Sequence, residues 1–175
     1  WCWGDNRAGQ TTGSSGGIAT RATRWTSARF NASGRAIGLA AGRGLTCVST
    51  IFGVSSYCWG ENTSGRVDPT LTFDAIPPSP VAGALTPEQF LTFGIGRDFL
   101  CLTSDFGRAP FCNGGNDFGQ RGAGTRSPIR GPLEVFDARD LGTVASGESF
   151  TCGIAGGRTH AARARCWGRN EAGQL

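Results

Sequence analysis

Residues 166–175 read CWGRNEAGQL, and residues 2–11 read CWGDNRAGQT. Two drifted copies lie between them, CWGENTSGRV from Cys58 and CNGGNDFGQR from Cys112. The four leading cysteines, Cys2, Cys58, Cys112 and Cys166, stand 56, 54 and 54 residues apart. A second phrase keeps step with the first: AAGRGLTC ending at Cys47, FGIGRDFLC at Cys101 and ASGESFTC at Cys152. Two phrases on one period mark a repeat architecture, in which each unit buries its apolar face only against its neighbours. The chain reads as three repeats, roughly 11–65, 66–119 and 120–175, with 1–10 closing a preceding one.

Inside each repeat the signals are those of short strands. RAIGLAAG, FLTFGIG and LGTVASG are apolar runs stopped by glycine, followed by LTCVSTIF, FLCLTSDF and FTCGIAGG, then by SSYCWG, APFCNG and RARCWG. Runs of this length, bounded by Gly, Pro, Asn and Asp, are strand signals, and no stretch holds the 3.6-residue apolar period of a long amphipathic helix. One helical turn is expected at LTPEQF, with Thr86 as cap and Pro87 in the first helical position. With 29 glycines and 8 prolines in 175 residues, the chain carries the turn punctuation of an all-β protein. Three or four strands per repeat describe the blade of a β-propeller, so the expected fold is three blades plus part of another. Propellers close with four or more blades. The chain lacks methionine and has the same phrase at both ends, so we expect a segment of a longer propeller.

The cysteines fall in pairs: Cys47 and Cys58 are 11 residues apart, Cys101 and Cys112 also 11, Cys152 and Cys166 14. Placing Cys47 opposite Cys58 in a hairpin centres its tip on Phe52-Gly53; the same operation on Cys101 and Cys112 centres it on Phe106-Gly107. The two tips share one sequence, and glycine suits a tight turn. Directly opposed cysteines are expected to be close enough to form disulfides, and disulfides persist in oxidising compartments. Cys2 is left without a partner. Two other readings stay open here. Zinc usually takes closely spaced Cys or Cys/His ligands, whereas these cysteines lie ten or more residues apart and the chain has one histidine. Reduced, buried cysteines would leave the recurrence of both partners unexplained.

The phrases CWGDNRAGQ and ASGESFTCGIA resemble the repeat of the regulator of chromosome condensation family, over essentially the whole chain. The cysteine-bearing form resembles repeats of bacterial secreted proteins and of crinkly-type receptor kinase ectodomains. The resemblance implies a seven-bladed propeller, of which this chain would be a segment. It departs from the family pattern where a histidine is usual, at Leu45, Phe99 and Phe150; at Asn113, in place of tryptophan; and at Gly65-Arg66, in place of Gly-Gln. The phrase also has a physical logic of its own. Trp3, Trp59 and Trp167 are large plates suited to packing blade on blade. Gly4, Gly60 and Gly168 permit close backbone approach. Asn6, Asn62, Asn116 and Asn170 can bond local backbone, and Gly9, Gly65, Gly119 and Gly173 turn the chain onward.

Nothing in the sequence marks an enzyme. His160 is the one histidine and sits at a hairpin tip, and Asp98, Asp105, Asp117, Asp137 and Asp140 are scattered among turns. There is no phosphate-binding GxxxxGK[ST], no triad context, and no cofactor or metal is expected. All 17 basic residues are arginine and the net charge is +4, short of the footprint of a dedicated nucleic-acid binder. The cluster Arg21, Arg24, Trp25 and Arg29 reads as a solvated strand rather than a phosphate site. The expectation is therefore a non-enzymatic binding module of an extracellular, periplasmic or cell-surface protein, with another protein as partner. Nucleic acid is not expected as partner, nor is membrane contact by this segment. The alternatives are an exchange factor or chromatin-docking propeller for a small GTPase, and an enzyme-inhibitor propeller of the β-lactamase-inhibitor kind. Residues 11–25, 66–90 and 121–140 are the segments in which a contact surface is expected; no contact residue within them can be named from sequence.

Overall fold

The computed structural model describes residues 1–24, 36–50, 56–71, 73–83, 90–104, 109–127, 133–135, 141–155 and 162–175. Among these lie thirteen strands: β1 (Cys2–Asp5), β2 (Ile18–Thr23), β3 (Ala36–Gly42), β4 (Leu45–Thr50), β5 (Tyr57–Glu61), β6 (Ala75–Pro80), β7 (Phe90–Ile95), β8 (Phe99–Ser104), β9 (Phe111–Gly114), β10 (Leu133–Glu134), β11 (Leu141–Ser146), β12 (Phe150–Ala155) and β13 (Arg163–Gly168). One 3₁₀ turn spans Thr63–Gly65. The hairpin tips at Phe52-Gly53 and Phe106-Gly107, the helical turn with Thr86 and Pro87, and His160 lie outside the described residues.

Within each sheet every strand pairs antiparallel with the next, giving sheets β3-β4-β5-β6, β7-β8-β9-β10 and β11-β12-β13, and a two-stranded sheet β1-β2. The first strands of successive sheets lie side by side, β3 against β7 and β7 against β11. This is the stacking of propeller blades, each meandering outward from an inner strand. The fold is thus an all-β propeller arc of three blades plus an outer hairpin of another. Sheets and sequence repeats are out of phase. β6 and β10, the outermost strands of their blades, follow the CWG-type phrase rather than precede it, so each repeat runs on into its neighbour.

The core lies between blades. Between the first and second it gathers Leu45, Ile76, Val81, Phe93, Leu100, Leu102 and Phe111 with the Cys47–Cys58 pair. Between the second and third it gathers Phe99, Val135, Leu141, Val144 and Ala155 with the Cys101–Cys112 pair. All six residues of β4 are buried, and all four of β9, as expected of strands covered on both faces. Register is kept by the same irregularity in each blade, a bulge at Ala36/Gly38, Phe90/Thr92 and Leu141/Thr143. Phe99 and Phe150, which stand where the family has histidine, lay their rings over the turn glycines. A Cβ on Gly96 would sit 1.9 Å from Phe99, and one on Gly147 2.1 Å from Phe150.

Candidate binding face

Antiparallel order brings the β3–β4, β7–β8 and β11–β12 turns to one end of the blades, together with the loops that follow β1, β5, β9 and β13. The phrase asparagine organises each of those loops. Asn6 Oδ1 accepts from the Thr11 and Thr12 amides, Asn62 Oδ1 from Val67 and Asp68, Asn116 Oδ1 from Arg121, and Asn170 Oδ1 from Leu175. The Asn62 and Asn116 Nδ2 groups then donate across their loops, to Asp68 and Leu71 carbonyls and to Thr125 and Ser127 carbonyls. The same asparagines' backbone carbonyls accept from Gly9, Gly65, Gly119 and Gly173. Buried amide groups that spend both ends on backbone make a loop rigid without a core of its own.

The residue after Gly9, Gly65 and Gly119 joins blade to blade. The Gln10 carbonyl accepts from the Trp59 indole at 3.0 Å and from the Thr46 hydroxyl at 2.7 Å. The Gln120 carbonyl does the same for Trp167 at 2.9 Å and Thr151 at 3.2 Å. Gly60 makes the Trp59 approach possible: its φ is +112°, and a Cβ there would lie 2.2 Å from the Gly44 carbonyl. Gly4, Gly114 and Gly168 share that conformation.

Between the first and second blades all three positions differ. Arg66 replaces the glutamine, Asn113 the tryptophan and Leu100 the threonine. Arg66 is 0 % exposed. Its Nε donates to the Glu61 carbonyl at 3.0 Å, Nη1 to the Gly96 and Arg97 carbonyls at 3.1 Å each, and Nη2 to the Arg43 carbonyl at 2.6 Å. Burial pulls its guanidinium below the usual arginine value, with Glu61 and Asp98 opposing that shift. Asn113 Nδ2 donates to the Ala82 carbonyl at 2.9 Å.

Above this junction stand the exposed charges of the face. Arg43, Arg97 and Glu148 each lie four residues before the cysteine of their β4, β8 or β12 strand. Glu148 Oε2 is 3.6 Å from Arg43 Nη2 and Oε1 is 3.6 Å from Arg97 Nη1. Towards the ends of the arc, Arg7 grips Asp5 in a bidentate pair, Arg169 bonds Glu171, and the Arg169 guanidinium lies 5.0 Å from the Phe118 ring centre.

The cysteines sit opposite one another in register: Cys47 on Cys58, Cys101 on Cys112 and Cys152 on Cys166. All three pairs are disulfide-bonded, with Cα atoms 4.1 Å apart. Their thiolates are thereby withdrawn from metal binding, and among the described residues no group of His, Cys, Asp and Glu could hold a metal ion. Cys2 is a free, half-buried thiol. Trp59 is 2 % exposed, whereas Trp3 is 66 % exposed. Arg21 and Arg24 are exposed, while Trp25 and Arg29 of the same cluster lie outside the described residues, as do Asp105, Asp137 and Asp140. The segments 11–17, 66–71 and 121–127 are the asparagine-braced loops of the end face, and Phe73 beside them is exposed. Sequence reasoning missed the grouping of Arg43, Arg97 and Glu148 and the bridging role of Arg66. The shared offset from the cysteine was the signal for the first; for Arg66 the one local signal is its departure from Gly-Gln, because its partners come from three separate turns.

No family model matches the sequence, and no curated protein matches it. Solved structures do. Human WBSCR16 superposes with a TM-score of 0.68 at 18% identity, over 95% of this chain and 46% of its own. Yeast RCC1 (Prp20), solved bound to Kap60, gives 0.63 at 16% identity over 93% and 37%. Prp20p of Saccharomyces cerevisiae, described with its binding to Gsp1p and histones, gives 0.56 at 18% identity over 77% and 31%. The fold is therefore the propeller of the regulator of chromosome condensation proteins. The chain spans less than half the length of the solved chains it matches.

Proposed function

We propose that this chain is part of a non-catalytic, protein-binding propeller that works in an oxidising compartment: outside a cell, in a periplasm or on a cell surface. The observation that carries the reading is one fully formed disulfide in each of the three blades, at equivalent positions. Reducing compartments do not maintain such bonds as a rule. The end face adds the second element, loops braced by buried asparagines that present charged side chains from a rigid scaffold, the usual arrangement of a binding surface. The repeats are taken as 11–65, 66–119 and 120–175, and the blade-to-blade contacts of Trp59 and Trp167 are assigned to stability rather than to partner contact.

A second reading has an observation of its own. Prp20p shares the fold and binds Gsp1p and histones, so nucleotide exchange on a small GTPase is the alternative. Two measurements separate them. In the first, a small GTPase loaded with labelled GDP is mixed with the intact protein; no acceleration of release is expected, and acceleration would put the exchange-factor reading first. In the second, an epitope-tagged intact protein is tested by protease protection of whole cells. Digestion of the tag, or recovery with the periplasm, is expected; retention in the cytosol would overturn the compartment.

A further inference from the structure

We propose that Arg43 and Arg97 form a carboxylate-recognition pair that takes an acidic side chain from a protein partner, with Glu148 holding the place until it arrives. This rests on the protein-binding reading and deepens it. The three residues occupy one structural position in three successive blades, the turn joining the two innermost strands, so the fold alone brings them to the axial side of one end.

Their backbones are fixed by bonds that cross the blades. Arg66, fully buried, donates to the carbonyls of both Arg43 and Arg97, and the Arg97 amide donates to the Glu148 carbonyl at 2.9 Å. Four residues from three blades are thus tied into one frame, and the two guanidiniums are carried on a support that does not shift as the side chains move. A pair held in advance loses less entropy on binding than two free arginines.

The present occupant is weakly held. Each Glu148 oxygen lies 3.6 Å from its guanidinium, an ion-pair distance longer than a hydrogen bond, and all three side chains are half exposed or more. Exposed pairs of this kind contribute little, so exchange of Glu148 for another carboxylate costs little. The planar guanidinium forks suit the two oxygens of a carboxylate. The surroundings choose against a polyphosphate: Glu61 lies 3.7 Å from Arg66 and the charge of Asp98 also acts on it, so that with Glu148 three carboxylates balance the three arginines. That balance suits one or two incoming carboxylates and repels the dense charge of a nucleic-acid backbone.

The test uses the intact, oxidised protein with two fluorescent probes at low salt, an octaglutamate peptide and a DNA duplex, followed by anisotropy. Glu148→Gln is expected to tighten octaglutamate binding at least about threefold, the order of one surface charge repulsion. The double variant Arg43→Gln with Arg97→Gln should abolish it, and Arg43→Lys with Arg97→Lys should retain only part, since lysine lacks the fork. Unchanged or weaker binding in Glu148→Gln would overturn the proposal, and so would DNA binding that is tighter than octaglutamate binding and lost in the same double variant. Because Glu148 is exposed, its variant keeps the fold and the result reads directly. A null result here with intact disulfides and an extracytoplasmic location removes this site alone; cytosolic retention removes the broader reading.

Discussion

The junction between the first and second blades differs from the junctions on either side of it. At the outer two, one main-chain carbonyl, of Gln10 or Gln120, accepts from an indole and a threonine hydroxyl of the next blade. At the middle one a buried arginine spans both blades and donates to four carbonyls, while tryptophan and threonine have given way to Asn113 and Leu100. The three positions differ together at one place: Leu100 and Asn113 are cross-strand partners, and a Cβ on the adjoining Gly114 would lie 3.0 Å from Arg66. The comparison teaches that the phrase is a joint between blades. A joint can be rebuilt with other chemistry provided that main-chain carbonyls from the two blades still find donors across it, whereas a ligand-binding motif could not drift in this way and keep its ligand.

The largest effects are expected at the rebuilt joint. Arg66→Leu strips four carbonyls of their donor, that of the buried Gly96 among them, and should cost about 3–5 kcal/mol in a denaturant melt. Arg66→Gln alone should also destabilise, and adding Leu100→Thr and Asn113→Trp should recover part of the loss. A coupling of roughly 0.5–3 kcal/mol in that cycle is the mark of one joint; strict additivity would break the comparison. At the unmodified joint, Trp59→Ala should cost about 3–5 kcal/mol, the range for emptying a buried aromatic site. A loss below about 1 kcal/mol at Trp59 would show that burial against the neighbouring blade is not what the phrase tryptophan is for.

Removing the disulfide of the middle blade by Cys101→Ala with Cys112→Ala should cost about 2–3 kcal/mol, through the short loop it closes in the unfolded chain. The smallest effect concerns Asp5. Its carboxyl is lowered from 3.8 to about 2, first by the hydrogen bond from the Arg7 side chain. A depressed carboxylate stabilises the folded state above its unfolded value and loses that contribution as pH falls from there through about 2. Arg7→Gln should return Asp5 to the ordinary range, read from its side-chain carbon shift in an NMR titration; an unchanged midpoint would show that the pair does not form in solution.

The fold was legible because two phrases repeat in step, and the Cys47–Cys58 and Cys101–Cys112 hairpin registers could be worked out from two cysteine pairs alone. Period and pairing are properties of the chain taken a few residues at a time. The joints were only half legible: the tryptophan of CWG announced itself as a plate for packing, but its partner carbonyl lies 49 residues away at Gln10, and a main-chain acceptor leaves no mark in sequence. Arg66 was visible only as a departure from Gly-Gln. Its role depends on the turns at Arg43 and Gly96-Arg97, brought to it by blade stacking. The binding face was the least legible part. Arg43, Arg97 and Glu148 look like ordinary turn residues until three blades are set side by side.

The most direct test of the account is the thiol state of the intact protein taken from its native compartment, alkylated under denaturing, non-reducing conditions and mapped by peptide mass spectrometry. The account predicts three linked pairs, Cys47–Cys58, Cys101–Cys112 and Cys152–Cys166, each within one blade. Alkylated, unlinked cysteines at these six positions would contradict it, and would return the propeller to a reducing compartment and the exchange-factor reading to the front.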